Sequence, residues 1–185
     1  MWLSKVEEGS GDEPPIDWRP FALDQANSKE GPEWKAWEQP GALLALRAGE
    51  AARRQGENIF KVFFMNMLKA RHEDRRNLEE EETVLDVAEA SGLDMARFLE
   101  DLADRELYEI VGASHTRAVE EVGAFGVPTF VFPNGASTFL KSYAPPTNEE
   151  AVEMYDSLWK VMENWKYVGE MKRPQPPWPQ GVFTP

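Results

Sequence analysis

The chain has 185 residues, a formal charge of −13, two histidines and no cysteine. A length of this order folds as one unit that buries about 70% of its extended surface, so a core needs no disulfide or metal to hold it. The acidic field disfavours nucleic acid and anionic membranes, two histidines cannot build a three-histidine metal site, and a chain without thiols carries no thiolate or CxxC chemistry in these residues.

WLSKVEE, residues 2–8, reads as the last turns of a helix, broken by Gly9, Gly11 and the Pro14-Pro15 pair. Residues 16–21, IDWRPF, form a strand candidate that Pro20 confines to an edge. Residues 22–40 contain Gly31, Pro32 and Pro40 and are expected as loop, with a helical fragment around Trp34-Lys35-Ala36-Trp37. From Ala42 to about Leu102 the periodicity is helical. Leu43, Leu44, Leu46, Ala51 and Ala52 make one helix, stopped by Gly56. Phe60, Phe63, Phe64, Met67 and Leu68 recur at three and four residues and make the next, with one buried stripe. Glu79 to Glu82 suit the positive end of a third helix, whose apolar face is Val84, Leu85, Val87 and Ala88 and which Gly92 ends. Asp94 is placed to cap a fourth, facing inward with Met95, Phe98 and Leu99.

A further helix over about 104–122 buries Leu107, Ile110, Val111, Ala118 and Val122. Gly123, Gly126 and Pro128 then turn the chain. Strands follow at 129–132 and 138–143, joined through Pro133-Asn134-Gly135, whose Asn-Gly pair tolerates positive φ in a hairpin. Thr147 with Glu150 three residues on is a capping box for a last helix that buries Tyr155, Leu158, Trp159, Met162 and Trp165. The tail from Lys172 holds five prolines and is expected to run extended. The sheet read in this way has three strands and an empty position.

Pro128 sits between Val127 and Thr129-Phe130-Val131-Phe132, at the entry to a strand. A trans proline there starts the strand at no cost, because a first residue needs no donor. A cis bond turns the chain abruptly and leaves the Val127 backbone groups facing outward, a miniature free edge to which an extended peptide can add as a strand. The residues alone leave both readings open.

The segments WRPFAL (18–23), ENIFKVFFMNMLKA (57–70), VLDVAEASGLD (84–94), GAFGVPTFVF (123–132) and MENWKYVGEMKRP (162–174) run in one order through nearly the whole chain. Together they resemble the DsbA-like branch of the thioredoxin superfamily, which includes FrnE-type proteins and 2-hydroxychromene-2-carboxylate isomerases. The resemblance implies an α/β, thioredoxin-like fold with an inserted all-helical domain. Residues 1–30 with 123–185 would form the thioredoxin-like part and 31–122 the insertion. It also implies a cis Val127-Pro128 bond in the loop that faces the redox centre of the family. The first strand and the CxxC segment have no counterpart in the sequence, which begins as if inside the first helix. A truncated front or a degenerate member would each explain this.

By the same resemblance, Val127 would hold the backbone of a substrate, Pro128 would pack beside it, and Thr129 could hydrogen-bond at the centre. Trp18, with Phe21, would floor a pocket between sheet and insertion, and Arg19 suits a carboxylate such as those of glutathione. Each has a plainer structural alternative: strand threonine, core aromatic, surface ion pair. His72 and His115 receive no role, and no residue is expected to be catalytic.

The implied function is that of a DsbA-like thiol–disulfide oxidoreductase family member whose residues lack the redox cysteines and give no disulfide reductase activity. The alternatives are a non-catalytic thioredoxin-fold module that binds peptides or proteins, and a glutathione-dependent isomerase. The last is disfavoured because Asn134–Lys141 departs from the Phe-Trp-Gly stretch of that subgroup. No cofactor is expected outside the isomerase reading, which brings glutathione. The expected partner is a thiol- or disulfide-bearing peptide or protein, or glutathione, with no nucleic acid and no membrane. An uncovered sheet edge would allow a homodimer. With no signal-peptide pattern at the start, the expected location is the cytoplasm.

Overall fold

A computed structural model describes residues 2–11, 14–30, 35–39, 43–142 and 146–171. The expected proline-rich tail, Trp34 and the last residue of the 138–143 strand lie outside the described residues. Eight α-helices and two strands are described: α1 (Trp2–Ser10), α2 (Leu23–Ala26), α3 (Leu44–Arg53), α4 (Glu57–His72), α5 (Glu81–Ala90), α6 (Met95–Ala103), α7 (Glu106–Arg117), β1 (Thr129–Val131), β2 (Ser137–Phe139) and α8 (Asn148–Asn164). The result is a small open sheet amid a mostly helical chain, a thioredoxin-like core with a large helical insertion.

Helices α3 to α7 enclose one core. Phe63, Val84, Phe98 and Leu107 are fully buried in it, with Ala48, Ala51, Ala52 and Met67 between them. In α4 the stripe Phe60, Phe63, Met67, Ala70 is buried at the spacing the sequence predicts. Asp94 caps α6 by accepting a hydrogen bond from the Arg97 N–H. Leu99, expected inward, is exposed on α6, and Leu102 is buried instead.

The second apolar cluster joins Trp2 and Val6 of α1 to Ala151 of α8, with Leu3, Phe130, Leu140, Met154, Tyr155 and Leu158 packed around it. The α1 start fits tightly: Trp2 Nε1 donates to the Ala151 carbonyl at 3.3 Å, and Lys5 Nζ to that of Pro146 at 2.7 Å. The α8 capping box is complete in both directions. Trp165, expected on the buried face of α8, lies past its end and is exposed.

Two strand expectations are corrected. Residues 16–21 pair with no strand, and the described sheet has two strands rather than three. The carbonyls of this segment are taken by side chains of the insertion: Arg53 donates to the Trp18 carbonyl at 2.6 Å and Ser114 to that of Pro20 at 2.8 Å. Side-chain partners meet the hydrogen-bonding demand of an extended backbone as a ladder would. The hairpin forms at Asn134-Gly135, Gly135 having φ +83°, but β2 covers 137–139 instead of 138–143. The 22–40 stretch, expected as loop, contains the one-turn α2 and a 3₁₀ turn over Ala36–Glu38.

Candidate functional site at the open strand edge

The site begins at the end of α7. A π-type turn over Ala118–Val122 follows it, and Gly123, at φ +74°, reverses the chain into the loop that leads to β1. The Val127-Pro128 peptide is cis. Thr129 Oγ1 donates to the Gly126 carbonyl at 2.8 Å, so this hydroxyl closes the loop on itself.

The β1–β2 pair is antiparallel, with Thr129 opposite Phe139, Phe130 opposite Thr138 and Val131 opposite Ser137. Leu140 N–H donates to the Pro128 carbonyl at 3.2 Å, and Phe132 N–H to that of Ala136 at 2.8 Å. Residues 128 and 132 therefore point their backbone groups at β2, and so does Phe130 between them. By alternation, the N–H and C=O groups of Thr129 and Val131 point away. No described strand lies on that side. The Val127 N–H and C=O likewise meet no partner among the described residues.

The two faces of this small sheet differ. Phe130 and Phe132 turn toward α8, where each meets the Trp159 ring edge-on, with centroids 5.7 and 5.0 Å apart. The opposite face carries Val131 and Phe139, with only Phe125 lying over Phe139 at 5.0 Å. Phe125 is 70% exposed, Val131 57% and Val127 47%. These are large apolar side chains left in water beside unpaired backbone groups. Proteins normally blunt such an edge with a charge or a bulge.

Trp18 and Arg19 lie elsewhere. Trp18 packs on Phe64 at 4.8 Å and lines a groove of about 380 Å³ between α1 and α4, together with Leu3, Ile16 and Val62. None of Val127, Pro128 and Thr129 lines it. Leu3 alone connects the two places, since it also packs in the cluster containing Phe130. Arg19 is exposed and paired with Asp17, the surface ion pair that was the plainer reading.

Two residues matter more than the sequence indicates. Arg53 ties the Trp18 segment to the insertion: it bonds the Trp18 carbonyl, pairs with Glu57 at 2.7 Å and lies over the Phe60 ring at 3.6 Å. Its other neighbour, Glu50 at 3.4 Å, has its carboxyl pushed above the usual range by burial, against the pull of Arg53. His115 is 5% exposed between Phe21 and Trp37, at centroid distances of 4.6 and 5.5 Å, with Nδ1 unpartnered. Burial lowers its pKa. The only signal for Arg53 is its four-residue spacing from Glu57. His115 sits in the polar-looking run Ser114–Arg117, where nothing marks it as buried.

The profile of the DSBA-like thioredoxin domain matches residues 3–153. The chain belongs to the DsbA-like thioredoxin domain family. A similar protein, the ClpXP adapter protein SpxH of Bacillus subtilis (strain 168), is 30% identical over 87 residues, which make up 46% of this chain and 29% of the adapter. The matched stretch thus spans under a third of that relative. Among the described residues no helix is long and apolar enough to cross a membrane.

Within this family setting, the chain has the cis-proline loop and the strand that follows it, but no cysteine anywhere in its 185 residues. Thiol–disulfide exchange needs a thiolate to attack a disulfide sulfur. No side chain here supplies one. The loop retains what positions a peptide: outward backbone groups and a flanking apolar surface.

Proposed function

We propose that this chain is a redox-inactive member of its family that binds an extended segment of a partner protein as an added strand on β1. The segment would hydrogen-bond to the outward backbone groups of Val127, Thr129 and Val131 and set alternate apolar side chains against Phe125 and Val131. Strand addition draws its affinity from main-chain hydrogen bonds and its selectivity from alternate side chains. The observation that carries this reading is the unpaired side of β1, bordered by exposed apolar residues in place of guarding charges. A relative whose name describes it as an adapter is consistent with work done by binding.

A thiol- or disulfide-bearing partner fits the same edge, since recognition would use its backbone. The groove at Trp18 is separate from this contact.

A matched pair of peptides tests the proposal. One alternates apolar and polar residues; the other is identical except for N-methyl groups on the amides that would face β1. Binding by the first, weakened tenfold or more in the second, supports strand addition. Equal binding by both, or none by either at millimolar concentration, refutes it.

A further inference from the structure

The edge of β1 is also complementary to itself. We infer that in the absence of a partner segment two copies of this chain pair antiparallel through β1, joining their hairpins into one four-stranded sheet. The inference concerns the same edge as the proposed function and identifies a second copy of the chain as its competing occupant.

Register makes the pairing specific. Thr129 and Val131 are the β1 residues whose N–H and C=O groups face away from β2. In an antiparallel pair about a two-fold axis at Phe130, Thr129 of one copy lies opposite Val131 of the other, and the reverse. Each of these two residue pairs can exchange both of its backbone hydrogen bonds, the closely spaced arrangement of an antiparallel ladder. Pro128 has no N–H to give, but its backbone faces β2, so the interface loses nothing there. The two-fold relation places each exposed Val131 beside the Thr129 of the other copy, a β-branched cross-strand pair.

Charge selects the same surface. Two molecules at −13 repel each other wherever carboxylates face carboxylates. Residues 122–140 contain no Asp, Glu, Lys, Arg or His, the longest such run in the chain, and they include all of β1, the hairpin and the loop before it. Here two like-charged copies can meet with no ionised group in the contact. The edge has no lysine, no inward charge and no described covering element, the usual means of preventing this association.

The pairing has a functional consequence. It would hide the groups that the proposed partner segment needs, so affinity for that segment should fall as the protein concentration rises.

Sedimentation velocity on the full chain from about 1 µM to about 1 mM covers the range expected of an interface below standard size. The expected result is a monomer–dimer equilibrium with amide exchange at Thr129 and Val131 slowing as the dimer fills, and exchange at Phe130 unchanged. Val131→Lys, at a position already exposed, should shift dissociation at least tenfold toward monomer while circular dichroism stays the same. Val62→Lys, in the Trp18 groove and 48% exposed in the parent, should leave the equilibrium as it was. A monomer at every concentration overturns the inference, and so does a dimer that Val131→Lys leaves intact. A monomer that still binds the alternating peptide refutes self-pairing and leaves the proposed function standing. A dimer sensitive to Val131→Lys whose dilute monomer ignores the peptide does the reverse.

Discussion

Gly112 gives the sharpest test of how the 18–39 segment is held on the insertion. It lies inside α7, where propensity alone makes Gly→Ala favourable by about 1 kcal/mol. The Trp37 indole covers it, and a β-carbon at 112 would stand 2.7 Å from Cδ1, 2.7 Å from Nε1 and 2.8 Å from Cε2. All three atoms belong to one rigid ring, so the clash cannot be relieved by swinging the end of a flexible side chain. Trp37 has to move off the helix, away from His115, which it contacts at 5.5 Å. Overpacking of this kind costs about 1–3 kcal/mol, which exceeds the propensity gain over most of that range. Gly112→Ala should therefore destabilise by about 1 kcal/mol, lowering the melting temperature by roughly 2–4 °C for a chain of this size. Urea unfolding measures it. In a Trp37→Ala background the same change should become stabilising, and the cycle isolates the contact. A Gly112→Ala protein more stable than its parent would refute the packing of Trp37 on α7.

The remaining predictions concern a titration and a cap. His115 has a folded-state pKa below its ordinary value, so the unfolded chain binds a proton more readily; stability should fall as the pH drops below about 6.5, and His115→Phe should flatten that slope. An unchanged slope between pH 7 and pH 5 in the variant would contradict the burial of this ring. Thr147→Ala removes the acceptor for the Glu150 N–H at the start of α8 and should cost about 1 kcal/mol in urea unfolding. No measurable loss would mean that the capping box carries no load.

Much of the fold is legible from local rules, because the helices announce themselves through period and caps. The α4 stripe, Asp94, the Thr147–Glu150 box and the Asn-Gly hairpin all follow from interactions within a few residues. The errors lie where distant groups decide. Residues 16–21 have strand composition, but Arg53 and Ser114 take their carbonyls and no strand meets them. Leu99 and Trp165 fit a helical period, yet one faces water on α6 and the other lies past the end of α8. His115 is buried because Phe21 and Trp37, far away in sequence, fold over it. The site was half legible: the resemblance located the loop at Val127-Pro128, but the outward direction of Thr129 and Val131 needs the register of β1 on β2. Trp18 belongs to a separate groove for a similar reason, since contacts with α1 and α4 fix its place.

The central claim is that β1 keeps one side free for another strand, and amide hydrogen exchange in dilute solution measures this residue by residue. Phe130, Phe132 and Leu140 should exchange slowly because their N–H groups lie in the ladder with β2, while Thr129 and Val131 exchange quickly and slow at least tenfold once the alternating peptide is added. Slow exchange at Thr129 and Val131 in the dilute, peptide-free protein would show that the edge is already occupied and would contradict the account.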